Sequence, residues 1–86
     1  MTIHPLGLIT TIEGSENAID LDGATHVYVV EKNNAEAIIH ITDSEGVEIA
    51  SFGLAGKAAL TFRKNPTDKI YASTANTHFT KIGYAN

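Results

Sequence analysis

The chain is a train of short β-prone segments separated by turn residues, and that rhythm constrains the fold more than anything else in it. From Thr25 to Tyr84, each run of β-branched or aromatic residues meets a Gly, Asn, Asp or Pro break before the next begins. Thr25-His26-Val27-Tyr28-Val29-Val30-Glu31 is the clearest strand. Val27 and Val29 share one face, and His26, Tyr28 and Val30 share the other. Lys32-Asn33-Asn34 breaks it. Ala37-Ile38-Ile39-His40-Ile41-Thr42 follows, with Ile39 and Ile41 on one face. Helix is the alternative for Glu31 to Ile41, with a short helical turn near Ala35 to Ala37 as its smaller form, but the Asn pair and the Ile-rich end favour turn and strand.

Asp43-Ser44-Glu45-Gly46 reads as a turn with Gly in the left-handed position, and Val47-Glu48-Ile49-Ala50-Ser51-Phe52 as its hairpin partner. Gly53-Leu54-Ala55-Gly56 is a flexible link. Ala58–Arg63 is a strand with Leu60 and Phe62 on one face, and Asn65-Pro66-Thr67-Asp68 is a tight turn. Lys69–Ser73 and Thr77–Tyr84 are the last two strands. Upstream, Leu6–Ile12 is β-prone, Gly14–Asn17 is a turn cluster, Ala18–Leu21 reads as a short strand, and Asp22-Gly23 is a strong turn signal. His4-Pro5 ends an extended N-terminal arm over residues 1–5, because Pro holds itself and its predecessor extended.

Seven to eight short strands at roughly 8–12-residue spacing predict an all-β chain, an antiparallel β-sandwich or small barrel. Its core is expected to hold Val27, Val29, Ile39, Ile41, Val47, Ile49, Leu60, Phe62, Ile70 and Ile82. With 86 residues the chain is one domain, residues 1–86, and its stability margin is thin. It has no cysteine, so neither a disulfide nor a thiolate metal site supports it. The core must suffice alone, or association must complete it.

Six Lys and Arg stand against ten Asp and Glu, a net charge of −4, and phosphate contacts need clustered basic residues. Nucleic acid is therefore not the expected partner. Arg63-Lys64, with Lys57 and Lys69 nearby, reads as solvated strand-end charge. The N-terminus has neither the basic region nor the apolar run of a signal peptide, and no stretch approaches the ~20 apolar residues that span a bilayer. No membrane partner is expected, and the chain is expected to be made in a reducing compartment.

Constellations that carry chemistry are sparse. His26 and His40 lie in successive strands, where a cross-hairpin pair plus a carboxylate would hold a metal. The spacing matches no ligand signature, and histidine is an ordinary strand residue. Asp20 with Asp22, and Asp43 with Glu45, pair carboxylates at turns as calcium loops do. The closing Glu of such a loop is absent, and Asx turns explain the same residues. Ser15, Ser44, Ser51 and Ser73 sit in no nucleophile elbow and have no local base. "GLAG" lacks the context of a phosphate loop. No catalytic residue, cofactor or metal ligand is assigned, and the chain reads as non-enzymatic. Exposed tyrosines leave a carbohydrate-binding module open as an alternative, although tryptophan is missing.

Residues 26–86 carry "VYVVEK", the "ITDSEG" hairpin, "GLAGKAALTFRKNPTDKIYAS" and the terminal "THFTKIGY". In this cadence the chain resembles small structural proteins of tailed bacteriophages, capsid decoration or head–tail proteins, especially of marine and cyanobacterial phages. Lys64–Ser73, "KNPTDKIYAS", is the most distinctive stretch. The resemblance implies a virion protein, assembled in the host cytoplasm, with the major capsid protein or another virion protein as partner and with self-association. A capsid decoration or cement protein is the leading expectation. A tail, neck or fibre component, or a carbohydrate- or calcium-binding module, is the alternative. The resemblance carries no catalytic residues.

Overall fold

The computed structural model describes residues 2–85. Eight strands form: β1 (Thr2–Pro5), β2 (Thr10–Thr11), β3 (His26–Glu31), β4 (Ala37–Thr42), β5 (Glu48–Leu54), β6 (Ala59–Arg63), β7 (Lys69–Ala72) and β8 (Thr77–Ala85). They make two antiparallel sheets. The first runs β1-β8-β3-β6, with β2 also paired to β8, and the second runs β5-β4-β7. The all-β class is as expected. The helical content is a 3-10 turn at Ser15–Asn17, while residues 32–36 hold no helical turn. No helix among the described residues is long and apolar enough to cross a membrane.

Alternation builds the core. Val27, Val29 and Glu31 of β3 face Ala37, Ile39 and Ile41 of β4 across the sandwich, each buried, while the residues between them point outward. Phe79 from β8 and Ile70 and Ala72 from β7 join them, with Ile12, Leu21 and Ala24 from the N-terminal segment. A fully buried side chain of this size contributes ~1.5–3 kcal/mol. Ile82 is buried too, but its register opposite His26 puts it on the outer face of the first sheet.

Several expectations are corrected. Val47, Ile49 and Leu60 are exposed and Phe62 is half-buried. On β5 the inward face is the one opposite Ala37, Ile39 and Ile41, which alternation gives to Ala50, Phe52 and Leu54 and not to Ile49. A bulge follows: Ile41 pairs with Ala50 and Thr42 pairs with Glu48, so Ile49 is a surplus residue with no partner. Leu60 and Phe62 do face inward, opposite Val29 and Val27, but β6 is an edge strand and its cover is incomplete. Ala18–Leu21 forms no strand; Ile19 makes one bridge to Ile70.

The N-terminal arm is not free. Thr2–Pro5 is a strand of the first sheet, with Thr2 opposite Ala85 and Pro5 opposite Ile82, while Met1 lies outside the described residues. The expected strand over residues 6–12 shrinks to Thr10–Thr11. Pro5 pairs with Ile82 and Thr10 with Phe79, so four residues, Leu6–Ile9, stand against two on β8. The surplus loops away from the sheet.

Chain connections differ most from a hairpin train. Only β4 and β5, among the described strands, form a sequential hairpin. The links β3–β4, β5–β6, β6–β7 and β7–β8 all cross from one sheet to the other. Asn65–Asp68 is the tight turn expected, with Asp68 N–H donating to the Asn65 carbonyl at 3.0 Å, but it is an arch over the core. At the opposite end the β5–β6 link packs on the β3–β4 link. Lys57 N–H donates to the Asn33 carbonyl at 2.9 Å, and a Cβ at Gly56 would collide with the Asn34 carbonyl. Only glycine permits that approach.

Candidate interaction surface

The crossing links decide which sequence-predicted groups meet. His26 and His40 lie in different sheets, on opposite outer faces, so the cross-hairpin metal pair does not exist. His26 instead meets the Tyr84 ring edge-on, at 5.2 Å between centroids. His40 stacks on Tyr71, its register neighbour, at 4.5 Å and 8°. Its Nδ1 lies 2.6 Å from Glu48 Oε1, which also accepts from the Tyr71 hydroxyl at 3.3 Å. The bulge at Ile49 is what turns Glu48 onto this face. Burial, then the neighbouring Glu48 charge and its hydrogen bond, raises the Tyr71 phenol above its usual 10.0.

This outer-face cluster sets a histidine beside a carboxylate. Ser51 stands opposite His40 in register, yet no hydrogen bond joins the two side chains. The cluster lies on the flat of a sheet, and no cavity is formed among the described residues.

The turn carboxylates are engaged by backbone. Asp20 Oδ1 accepts from Asp22 N–H at 3.0 Å; Asp43 Oδ1 accepts from Glu45 N–H at 2.9 Å and Val47 N–H at 3.0 Å. These are the Asx turns expected. Leu21, Asp22 and Gly23 follow one another with φ of 55°, 56° and 70°, a left-handed run. Among the described residues, no three His, Asp or Glu side chains gather as metal ligands would.

One of the basic residues, Lys64, is corrected as well, while Lys57 and Arg63 are exposed. Lys64 is buried, not a solvated strand-end charge, and its Nζ donates to the Asn65 carbonyl at 3.2 Å. Burial lowers its ammonium below the usual 10.5; Asp20 and Asp68 oppose the shift in part and Lys81 adds to it. Lys57 Nζ caps the Lys32 carbonyl at 2.7 Å, at the far end of the sandwich. The four basic side chains do not share a patch.

A surface suited to binding does emerge along one flank. The second sheet's β7 edge is covered by bridges from Glu13 and Ile19, and the first sheet's β8 is covered by β1 and β2. On the other side β5 and β6, joined by a short link, are both unpaired edges. Natural edge strands are guarded by Lys, Pro or inward charge. Here β5 carries one charge, Glu48, and β6 one, Arg63, each at a strand end. Between the edges Phe52 and Phe62 meet at 5.4 Å, and Ile49 of β5, Leu60 of β6 and Val47 just before β5 are exposed. Sequence reasoning placed Val47, Ile49, Leu60 and Phe62 in the core because it read strand alternation without knowing which strands were edges.

The buried pair Glu31 and Thr77 was also missed. Thr77 Oγ1 donates to Glu31 Oε1 at 2.6 Å, and Asn33 N–H donates to Oε2 at 3.0 Å. The available signal was parity: Glu31 continues the Val27, Val29 face. No family model, curated protein or solved structure matches the chain.

Proposed function

We propose that this chain is a non-enzymatic structural protein of a phage virion, acting as a decoration or cement subunit on the outer surface of the capsid. One observation supports an assembly role above others: the β5/β6 flank leaves two adjacent sheet edges unpaired and uncharged along most of their length, bordered by exposed Val47, Ile49 and Leu60. Such a flank suits burial against a neighbouring subunit, by edge pairing and apolar contact together. The virion as setting follows the resemblance over residues 26–86. A subunit that binds only the folded lattice stabilises it by mass action, by ~2.7 kcal/mol at a hundredfold excess over Kd.

The experiment is quantification of the chain in purified particles, followed by its removal. A copy number matching the shell's subunits, with a lower capsid melting temperature after removal, is the expected result. Presence at only a few copies points to a tail, neck or fibre position instead. Absence from the particle, or an unchanged capsid melting temperature, defeats the cementing role. A thermal shift of the isolated chain with glycans or calcium would favour a binding module.

A further inference from the structure

We propose that the Leu6–Ile9 loop is a knob that docks on the open β5/β6 flank of a second copy of this chain, so that copies associate head to tail. The inference depends on the assembly reading above and names the neighbour at the flank.

The knob is built by register. Four residues oppose two on β8, and the surplus carries Leu6, Leu8 and Ile9 out of the sheet. Leu8 is 88% exposed and Ile9 65%. A single exposed Leu needs no explanation, but three neighbours on one loop form a patch, and patches mark contacts. Leu6 N–H donates to the Lys81 carbonyl at 2.8 Å and the Thr10 hydroxyl to the Leu8 carbonyl at 3.3 Å, so the loop is held at both ends.

The receiving surface lies on the opposite side of the same molecule. β1 and β6 are the two ends of the first sheet, three strand spacings or about 14 Å apart. One chain therefore cannot cover its own flank with its own knob. Each of two copies offers one of each, and a head-to-tail contact covers both at once. Pairing β5 with β5 across a two-fold axis would leave Leu8 and Ile9 in water.

Charge points the same way. Two copies, each at −4, repel overall, so approach is easiest where neither carries acid. Residues 2–12 contain no Asp, Glu, Lys or Arg, and residues 49–56 and 58–62 contain none either. A standard interface takes ~800 Å² per partner, about a sixth of the 4945 Å² this chain exposes. A contact of this kind uses different surfaces on its two sides, so it closes into a ring or continues as a filament.

Mass measurement by analytical ultracentrifugation, from micromolar to millimolar chain, tests it. Wild type is expected to form either a discrete ring or a growing series. Leu8→Asp and Ile49→Asp, both at exposed positions, are each expected to weaken association ~30-fold or more, as a hot-spot residue does. Unchanged circular dichroism and melting of the isolated variants exclude misfolding, and Leu8→Ala gives a milder second variant. The decisive sample is an equimolar mixture of the two Asp variants. One retains its flank and the other its knob, so the mixture should form a one-to-one dimer and nothing larger. A monomeric wild type, a Leu8→Asp variant that associates normally, or a mixture that stays monomeric overturns the proposal. If monomeric chain is nonetheless found on particles, the inference fails while the cementing role stands.

Discussion

Replacing Thr77 by Val probes the most demanding contact inside this fold. Thr77 is fully buried and donates to the Glu31 carboxylate at 2.6 Å. Valine has nearly the same shape, so no cavity opens, and the change isolates one hydroxyl. The Asn33 N–H at 3.0 Å remains as a donor to the carboxylate. A hydrogen bond to a charged group is worth ~1.5–3 kcal/mol, and a buried acceptor left without its donor forfeits about that much. For 86 residues total stability is about 4–13 kcal/mol, so the loss is a large share of it. The expected drop in Tm is on the order of 10 °C. The assay is urea unfolding with an unchanged slope, run as a cycle with Glu31→Leu. Glu31→Leu alone orphans the Thr77 hydroxyl. The double variant removes both polar groups and should cost at least ~1 kcal/mol less than the sum of the singles. Costs that add within ~0.5 kcal/mol, or a Thr77→Val variant as stable as wild type, would refute the reasoning.

Phe79→Ala empties the centre of the core and should cost ~3–5 kcal/mol, unfolding much of the population at moderate temperature, whereas Leu60→Ala at the edge should cost under ~1 kcal/mol; equal losses would contradict the burial pattern. Gly56→Ala pushes a methyl into the Asn34 carbonyl and should cost ~2–3 kcal/mol by thermal melting. Gly46→Ala, in open space at φ 89°, should cost only ~1–2 kcal/mol, and the reverse order would count against the packing of the two links. For Lys64 the sign follows from its lowered folded value. Between that value and 10.5 the unfolded chain holds a proton the folded chain has released, so this group makes stability rise with pH across that window. Below the window the cost of burying the charge is fully present. Lys64→Met should flatten the rise in urea midpoint from neutral pH toward about pH 10, and a slope identical to wild type would remove Lys64 as its source.

The strands were legible where alternation was clean. Val27 and Val29, and Ile39 and Ile41, are flanked by residues that tolerate solvent, and each set lies in the core. The turns at Asp43–Gly46 and Asn65–Asp68 were legible because Asx bonding and Pro act within a few residues. β5 was misread because Val47 and Ile49 alternate as cleanly as Ala50, Phe52 and Leu54 do, and which set faces inward is decided by pairing with Ile39 and Ile41 of β4. Leu6–Ile9 looked like strand because its residues favour extended backbone, but its register is decided at β8, some seventy residues away. The supposed meeting of His26 and His40 failed for a similar reason: residues 32–36 suit a hairpin loop or a crossing arch equally. The candidate surface was invisible beforehand because it is defined by which edges stay unpaired, a property of the whole topology.

The place of β8 in the first sheet has a kinetic consequence. It sits between β1 and β3, yet it is synthesised after every strand it joins. Until it emerges, at ~5–20 residues per second, β3 displays a valine-rich edge that nothing in its own chain can fill. On a polysome, many copies wait in that state side by side. The β8 of one copy then fits the vacant slot of its neighbour as well as its own, and exchange of that strand is the characteristic error this fold must outrun.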